Sequence, residues 1–292
     1  MDVLYFIAAF IVLLLVIKMK RKSGVFLKSA LLFLFIILVL VPSFIWDNFQ
    51  PAHAAKAMNT IKSIFNYQED KTQKVFQNNT DIPIIKIKEK VILDAPFISQ
   101  LPELPRGCEV TSLAMMLNDA GAQVTKLTLA KEIKKDSTDY SISSGKVFFG
   151  NPNDGFVGNM FDLRKPGLGV YHKPISELAE KYLPGRVNDL SGADFDELKI
   201  HLSDNRPVWV VVNTSYQKLD ESLFQTWNTP SGAVKITYKE HSVLLTGYNR
   251  EYVYFNDPLT GVKNKKAPIA DFEESWVQMG RQAITYLPIS KY

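Results

Sequence analysis

Gln100-Leu-Pro-Glu-Leu-Pro-Arg-Gly-Cys108-Glu-Val-Thr-Ser-Leu-Ala-Met-Met-Leu117 runs from proline-broken chain straight into a helix. Val110, Leu113, Ala114 and Leu117 recur at i, i+3, i+4 and i+7, which predicts an amphipathic helix over Cys108 to Ala120, with Gly121 as the residue just past its end. The chain's one cysteine therefore opens a helix. Partial positive charge and unpaired N–H groups at that end favour a thiolate. The N–H of a nucleophile placed there can serve an oxyanion hole, and Gly107 lets backbone come close to a bound carbonyl. A lone cysteine is also at home in a core, so position alone does not decide its role.

Outward from this helix the signals change in type. Val91 to Ile98 reads as extended, Thr128 to Lys135 as a short helix, and Ile175 to Tyr182 and Asp194 to Leu202 as two more. Ser141 to Gly169, rich in Gly, Asn and Asp, reads as a long irregular excursion, with Gly150 to Gly158 as a lid over a groove. Val208 to Val212, Val234 to Tyr238, Ser242 to Tyr248 and Val253 to Asn256 read as strands. Helices first and antiparallel strands second define an α+β domain over 91–292. No period of 20–50 residues recurs.

The second half supplies partners for the thiol. His241 stands at the start of the strand Ser242 to Tyr248, and Asp257 closes the strand that follows the turn Asn249-Arg250-Glu251. Antiparallel pairing sets the start of one beside the end of the other. The carboxylate would then fix the imidazole and the imidazole would activate the thiol. Each residue also has a plain structural reading: a strand-end histidine and a turn cap before Pro258.

Taken together these segments resemble peptidase C39-like proteins, a papain-like cysteine peptidase group. The resemblance lies in Gln100 to Leu117, in Gly150-Asn-Pro-Asn-Asp-Gly-Phe-Val-Gly158, in Glu240-His-Ser-Val-Leu-Leu-Thr-Gly-Tyr248 and in Asn256-Asp-Pro-Leu-Thr-Gly261. It implies a papain-like fold, with Cys108 as nucleophile, His241 as general base, Asp257 as its orienting carboxylate and Gln100 as oxyanion donor. A peptide or amide is the implied substrate. No G-x-x-x-x-G-K-[ST] phosphate loop is present, so the leader cleavage of transporter-fused bacteriocin peptidases does not carry over. A catalytically silent module that holds a peptide or cell-wall component is the alternative.

Other chemistries find little support. There is no H-E-x-x-H and no G-x-S-x-G, and His53, His172, His201 and His241 are scattered, so neither metal nor organic cofactor is expected. His201 reads as solvated on a charged helix, and His172 as a residue that could line the groove. One cysteine permits no intramolecular disulfide.

Charge and hydropathy place the domain. Of 292 residues with net charge +4, Met1 to Trp46 holds five Lys and Arg against Asp2, leaving 29 basic and 29 acidic residues that cancel. A neutral domain argues against nucleic acid as partner. Val3 to Ile17 and Ala30 to Trp46 carry no charge, and a basic stretch from Lys18 to Lys28 lies between them. With the basic loop inside, residues 1–46 read as a transmembrane helical hairpin, 47–90 as a stalk, and the domain faces the extracytoplasmic side of the cell membrane. The rival is a signal peptide cleaved near Ala54, with Ala52-His53-Ala54 as the site. Both export the domain.

Overall fold

In the computed structural model, residues 86–289 are described. The hairpin, the stalk up to residue 85 and His53 lie outside them. Among the described residues no helix is long and apolar enough to cross a membrane.

The expected helix at the cysteine forms as α1 (Cys108–Asp119), and Gly121 follows at φ +94°. Its apolar positions run wider than one stripe: Cys108 through Leu117 are all buried. A helix buried on every side, with Glu109, Thr111 and Ser112 among its enclosed residues, lies inside a domain. Next come α2 (Lys126–Glu132), α3 (His172–Glu180), α4 (Phe195–Ser203) and α5 (Ile269–Gln278). Thr125 caps α2 by accepting from the Thr128 N–H, so this helix begins two residues before the expected Thr128.

The main sheet is antiparallel, in the order β12-β11-β10-β7-β13-β6, with β1 (Val91–Ile92) paired to β10. Its centre is β7 (Val208–Asn213), β10 (Glu240–Tyr248) and β11 (Tyr252–Asp257); β12 (Val262–Pro268), β13 (Ala283–Tyr286) and β6 (Val187–Asp189) flank them. Both faces are covered, so every residue of β7 and β10 is buried, the polar start of β10 included. Trp209, Val211 and Leu244 face α1, α2 and α3, while Val208, Val210, Val212, Val243 and Leu245 face α4 and α5 with Phe195, Phe272 and Trp276. Register fixes the site: His241 lies opposite Val212 and Leu244 opposite Trp209.

The extended reading of Val91 to Ile98 shortens to Val91–Ile92. The excursion from Ser141 to Gly169 is more ordered than expected. It contains β3 (Ser141–Ser143), β4 (Lys146–Phe148) and β5 (Phe156–Val157). The first two join β8 (Gln225–Thr229) and β9 (Gly232–Ile236) in a second sheet, and β5 pairs with β2 (Lys135–Asp136). The Gly150 to Gly158 segment is not a lid. Phe156 and Val157 are buried, and Asn151 is tied to Asp136 and Ser231 by hydrogen bonds. It is packed wall.

Candidate active site

The backbone of α1 is bolted to the sheet at its first turn. Trp209 Nε1 of β7 donates to the Glu109 carbonyl at 3.0 Å, and Ser112 Oγ donates to the Ser242 carbonyl of β10 at 3.1 Å. These bonds place the N-terminal turn of α1, carrying Cys108, against the start of β10, carrying His241. Gly107, just ahead, is required by packing: a Cβ there would sit 2.6 Å from that of Leu104.

Across the strand pair, His241 Nε2 and Asp257 Oδ1 are 2.9 Å apart, and both side chains are almost fully buried. Asp257 is held from several sides. Tyr216 Oη donates to Oδ2 at 2.6 Å, Lys265 Nζ at 2.9 Å and Thr260 Oγ1 at 2.5 Å, while the Leu259 N–H reaches Oδ1 at 3.0 Å. Burial alone would raise its pKa, but the bond and charge of His241, with the Thr260 and Tyr216 hydroxyls, hold it well below the usual carboxylate range. Such a carboxylate is a permanent anchor for the imidazole.

Cys108, His241 and Gln100 line one cleft of about 200 Å³, walled by Arg106, Leu163 and Tyr238 among others. Arg106 donates to the carbonyls of Asn159, Asp162 and Leu163, which pins that segment beside the nucleophile end of α1. Gln100 Nε2 donates to the Pro105 carbonyl at 3.1 Å, and its Oε1 is buried without a partner. The Cys108 thiol is buried, and it donates to Glu109 Oε2 at 3.3 Å rather than to the imidazole. Burial, then the charges of Glu109 and Glu240, push the thiol well above its ordinary pKa, against the opposing Ser242 N–H.

Two histidines depart from the sequence reading. His201 is buried, not solvated, and burial and Arg206 lower its pKa to about 4. His172 lines a different cavity, of about 270 Å³, and pairs through Nδ1 with Asp189 Oδ2 at 2.7 Å. The sequence reading missed Tyr216, Thr260 and Lys265 around Asp257, and Glu109 and Glu240 beside the thiol. Only the last two left a visible signal, since each is the chain neighbour of a site residue and Glu240 is a charge leading a buried strand.

This arrangement, a cysteine at a helix start facing a sheet that holds a histidine–carboxylate pair, defines a class of thiol hydrolase-like domains. Residues 92–284 match the Peptidase_C39-like family model, and the chain belongs to that family. It is 48% identical over 194 residues to the Uncharacterized protein YvpB of Bacillus subtilis (strain 168), covering 66% of this chain and 74% of that one. A solved structure described as a candidate C39-like peptidase from Bacillus anthracis is similar at 51% identity and TM-score 0.65, covering 70% of this chain and all of the other.

Proposed function

We propose that this protein is a papain-like cysteine peptidase that hydrolyses a peptide or related amide bond through a thioester on Cys108. The observation that carries this is the convergence of Cys108 with an imidazole already fixed by Asp257 on a single cleft. Cys108 Sγ attacks the substrate carbonyl carbon as its proton passes to His241. The C–N bond breaks, and the amine leaves with that proton. Water, deprotonated by His241, then attacks the thioester, releasing the carboxylic acid and restoring the thiol. Asp257, ionised throughout, holds the ring and stabilises its protonated form. The Cys108 N–H, one of the unpaired donors of the first helical turn, and the Gln100 amide are the oxyanion donors of this scheme. One Nε2 hydrogen of Gln100 is held by the Pro105 carbonyl, which leaves the second for the oxyanion.

One observation favours a second reading, a silent module that binds peptide or cell-wall material: the thiol rests against a carboxylate instead of the base. Turnover of a peptide mixture by the full chain separates the two. Cleavage abolished by Cys108→Ala supports the peptidase; binding without cleavage supports the module. We also propose that residues 1–46 anchor the domain to the membrane with its cleft on the extracytoplasmic side. Their charge-free runs and basic loop support this. Protease added to intact cells should then degrade the domain, and its survival would contradict the placement.

A further inference from the structure

Two acids at the site play no part in the acyl transfer just described. Glu109 follows Cys108 and Glu240 precedes His241, so each site segment brings a buried carboxyl group to the same place. The Cys108 sulfur and one oxygen of each carboxyl all lie within 4.8 Å of one another. Backbone closes the enclosure. The Val170 N–H donates to Glu109 Oε1 at 2.7 Å, and Gly169 passes so near that a Cβ would collide with Glu109 Oε1 and lie 2.9 Å from Glu240 Oε2.

The groups that face the cluster are few. From α1 comes the thiol, from β10 the Ser242 N–H, from the segment before α3 the buried Tyr171, and from the loop after β7 Tyr216, which feels the charge of Cys108. His241, the remaining titratable group of β10 beside it, turns Nε2 away to Asp257. Among the described residues no lysine or arginine pairs with either carboxyl, and Glu240 Oε1 is buried without any hydrogen-bond partner. Two carboxyls and a thiol enclosed together without a cation do not all ionise.

We propose that Glu109 and Glu240 share one proton and act as positioning residues that set the protonation of Cys108. This rests on reading Cys108 as the nucleophile. When both carboxyls are ionised, Glu109 accepts from the thiol and holds the proton on sulfur, as in the geometry seen. When the pair holds its proton, the same contact becomes an O–H donor to a thiolate, and the thiol's own proton moves to His241. Burial raises both carboxyls, Glu109 to about 7, so the exchange falls near neutral pH.

The test is the rate at which iodoacetamide, a neutral reagent, alkylates Cys108 of the full chain across about pH 5 to 9. On this scheme wild-type alkylation slows as pH rises through neutrality and the pair loses its proton. Glu109→Gln and Glu240→Gln, each with one charge fewer, should keep the thiolate and alkylate about tenfold faster than wild type just above neutral pH. Profiles that superimpose on wild type in the folded variants would overturn the proposal. Should either variant fail to fold, infrared spectra of wild type decide: a protonated-carboxyl band persisting to about pH 6 and bleaching near neutrality is expected, and its absence at that pH overturns the proposal. Shifted alkylation without any peptide cleavage would refute the nucleophile reading alone. Cleavage with unshifted alkylation would refute only the shared proton.

Discussion

His241 and Asp257, sixteen residues apart in the chain, meet across neighbouring strands with Nε2 2.9 Å from Oδ1. The carboxylate keeps its charge because the bond and charge of His241, then the Thr260 and Tyr216 hydroxyls, outweigh its burial. Asp257→Asn keeps the shape but loses the charge and can present the wrong hydrogen-bonding group to the ring. Peptide turnover should fall about 10²–10⁴-fold. Tyr216→Phe removes one donor of several and should cost only about 1 kcal/mol in urea unfolding, with turnover largely kept. Equal losses in the two variants would show that the carboxylate's role is structural.

Trp209 joins the sheet to the nucleophile helix through its indole N–H and is fully buried. Trp209→Ala should destabilise the domain by about 3–5 kcal/mol. Trp209→Phe keeps most of the packing and loses the bond to the Glu109 carbonyl, so about 1–3 kcal/mol is expected. Chemical denaturation of both variants checks the order.

How far these relationships could be read from sequence depends on how local they are. The helix at Cys108 and the strands bearing His241 and Asp257 announced themselves because their periodicity is written in contiguous residues. Strands β12 and β13 did not. Val262 to Pro268 is lysine-rich and mostly exposed at the sheet's edge, and Ala283–Tyr286 is only four residues long. With β12 unseen, Lys265 had no place beside Asp257, and Tyr216 reaches that carboxylate from a loop with no pattern of its own. His201 misled because its helix is charged along one side, while its own position faces inward. The Gly150 to Gly158 stretch misled because close backbone packing, as at Gly155 against Lys135 and Asp136, uses the same residues as a loose loop.

The buried His201 links stability to pH. Its pKa falls from 6.5 to about 4 on folding, so the unfolded chain binds more protons between these values. The neutral ring's contribution is fully present above about pH 6.5 and is lost as pH falls toward 4. Glu109, raised from 4.5 to about 7, acts in the opposite sense: its share is intact below 4.5 and declines as pH rises through 7. The two must therefore be separated by variants. In thermal melts, His201→Gln should flatten the loss of Tm between pH 6.5 and 4 relative to wild type. An unchanged slope would contradict the assignment.

Gly169 leaves room for the two carboxyls beside the thiol. Gly169→Ala should force Glu109 to move, cost about 1–3 kcal/mol of stability and alter the pH at which Cys108 alkylates. A variant with wild-type alkylation would show that the enclosure tolerates the methyl group without disturbing the nucleophile.

The most direct measurement is mass spectrometry of a defined peptide mixture incubated with the purified full chain, its Cys108→Ala variant and its His241→Ala variant. Wild type should generate new termini, Cys108→Ala none and His241→Ala far fewer. The same peptides cut by all three, or by none, would contradict a peptidase built on this thiol and imidazole.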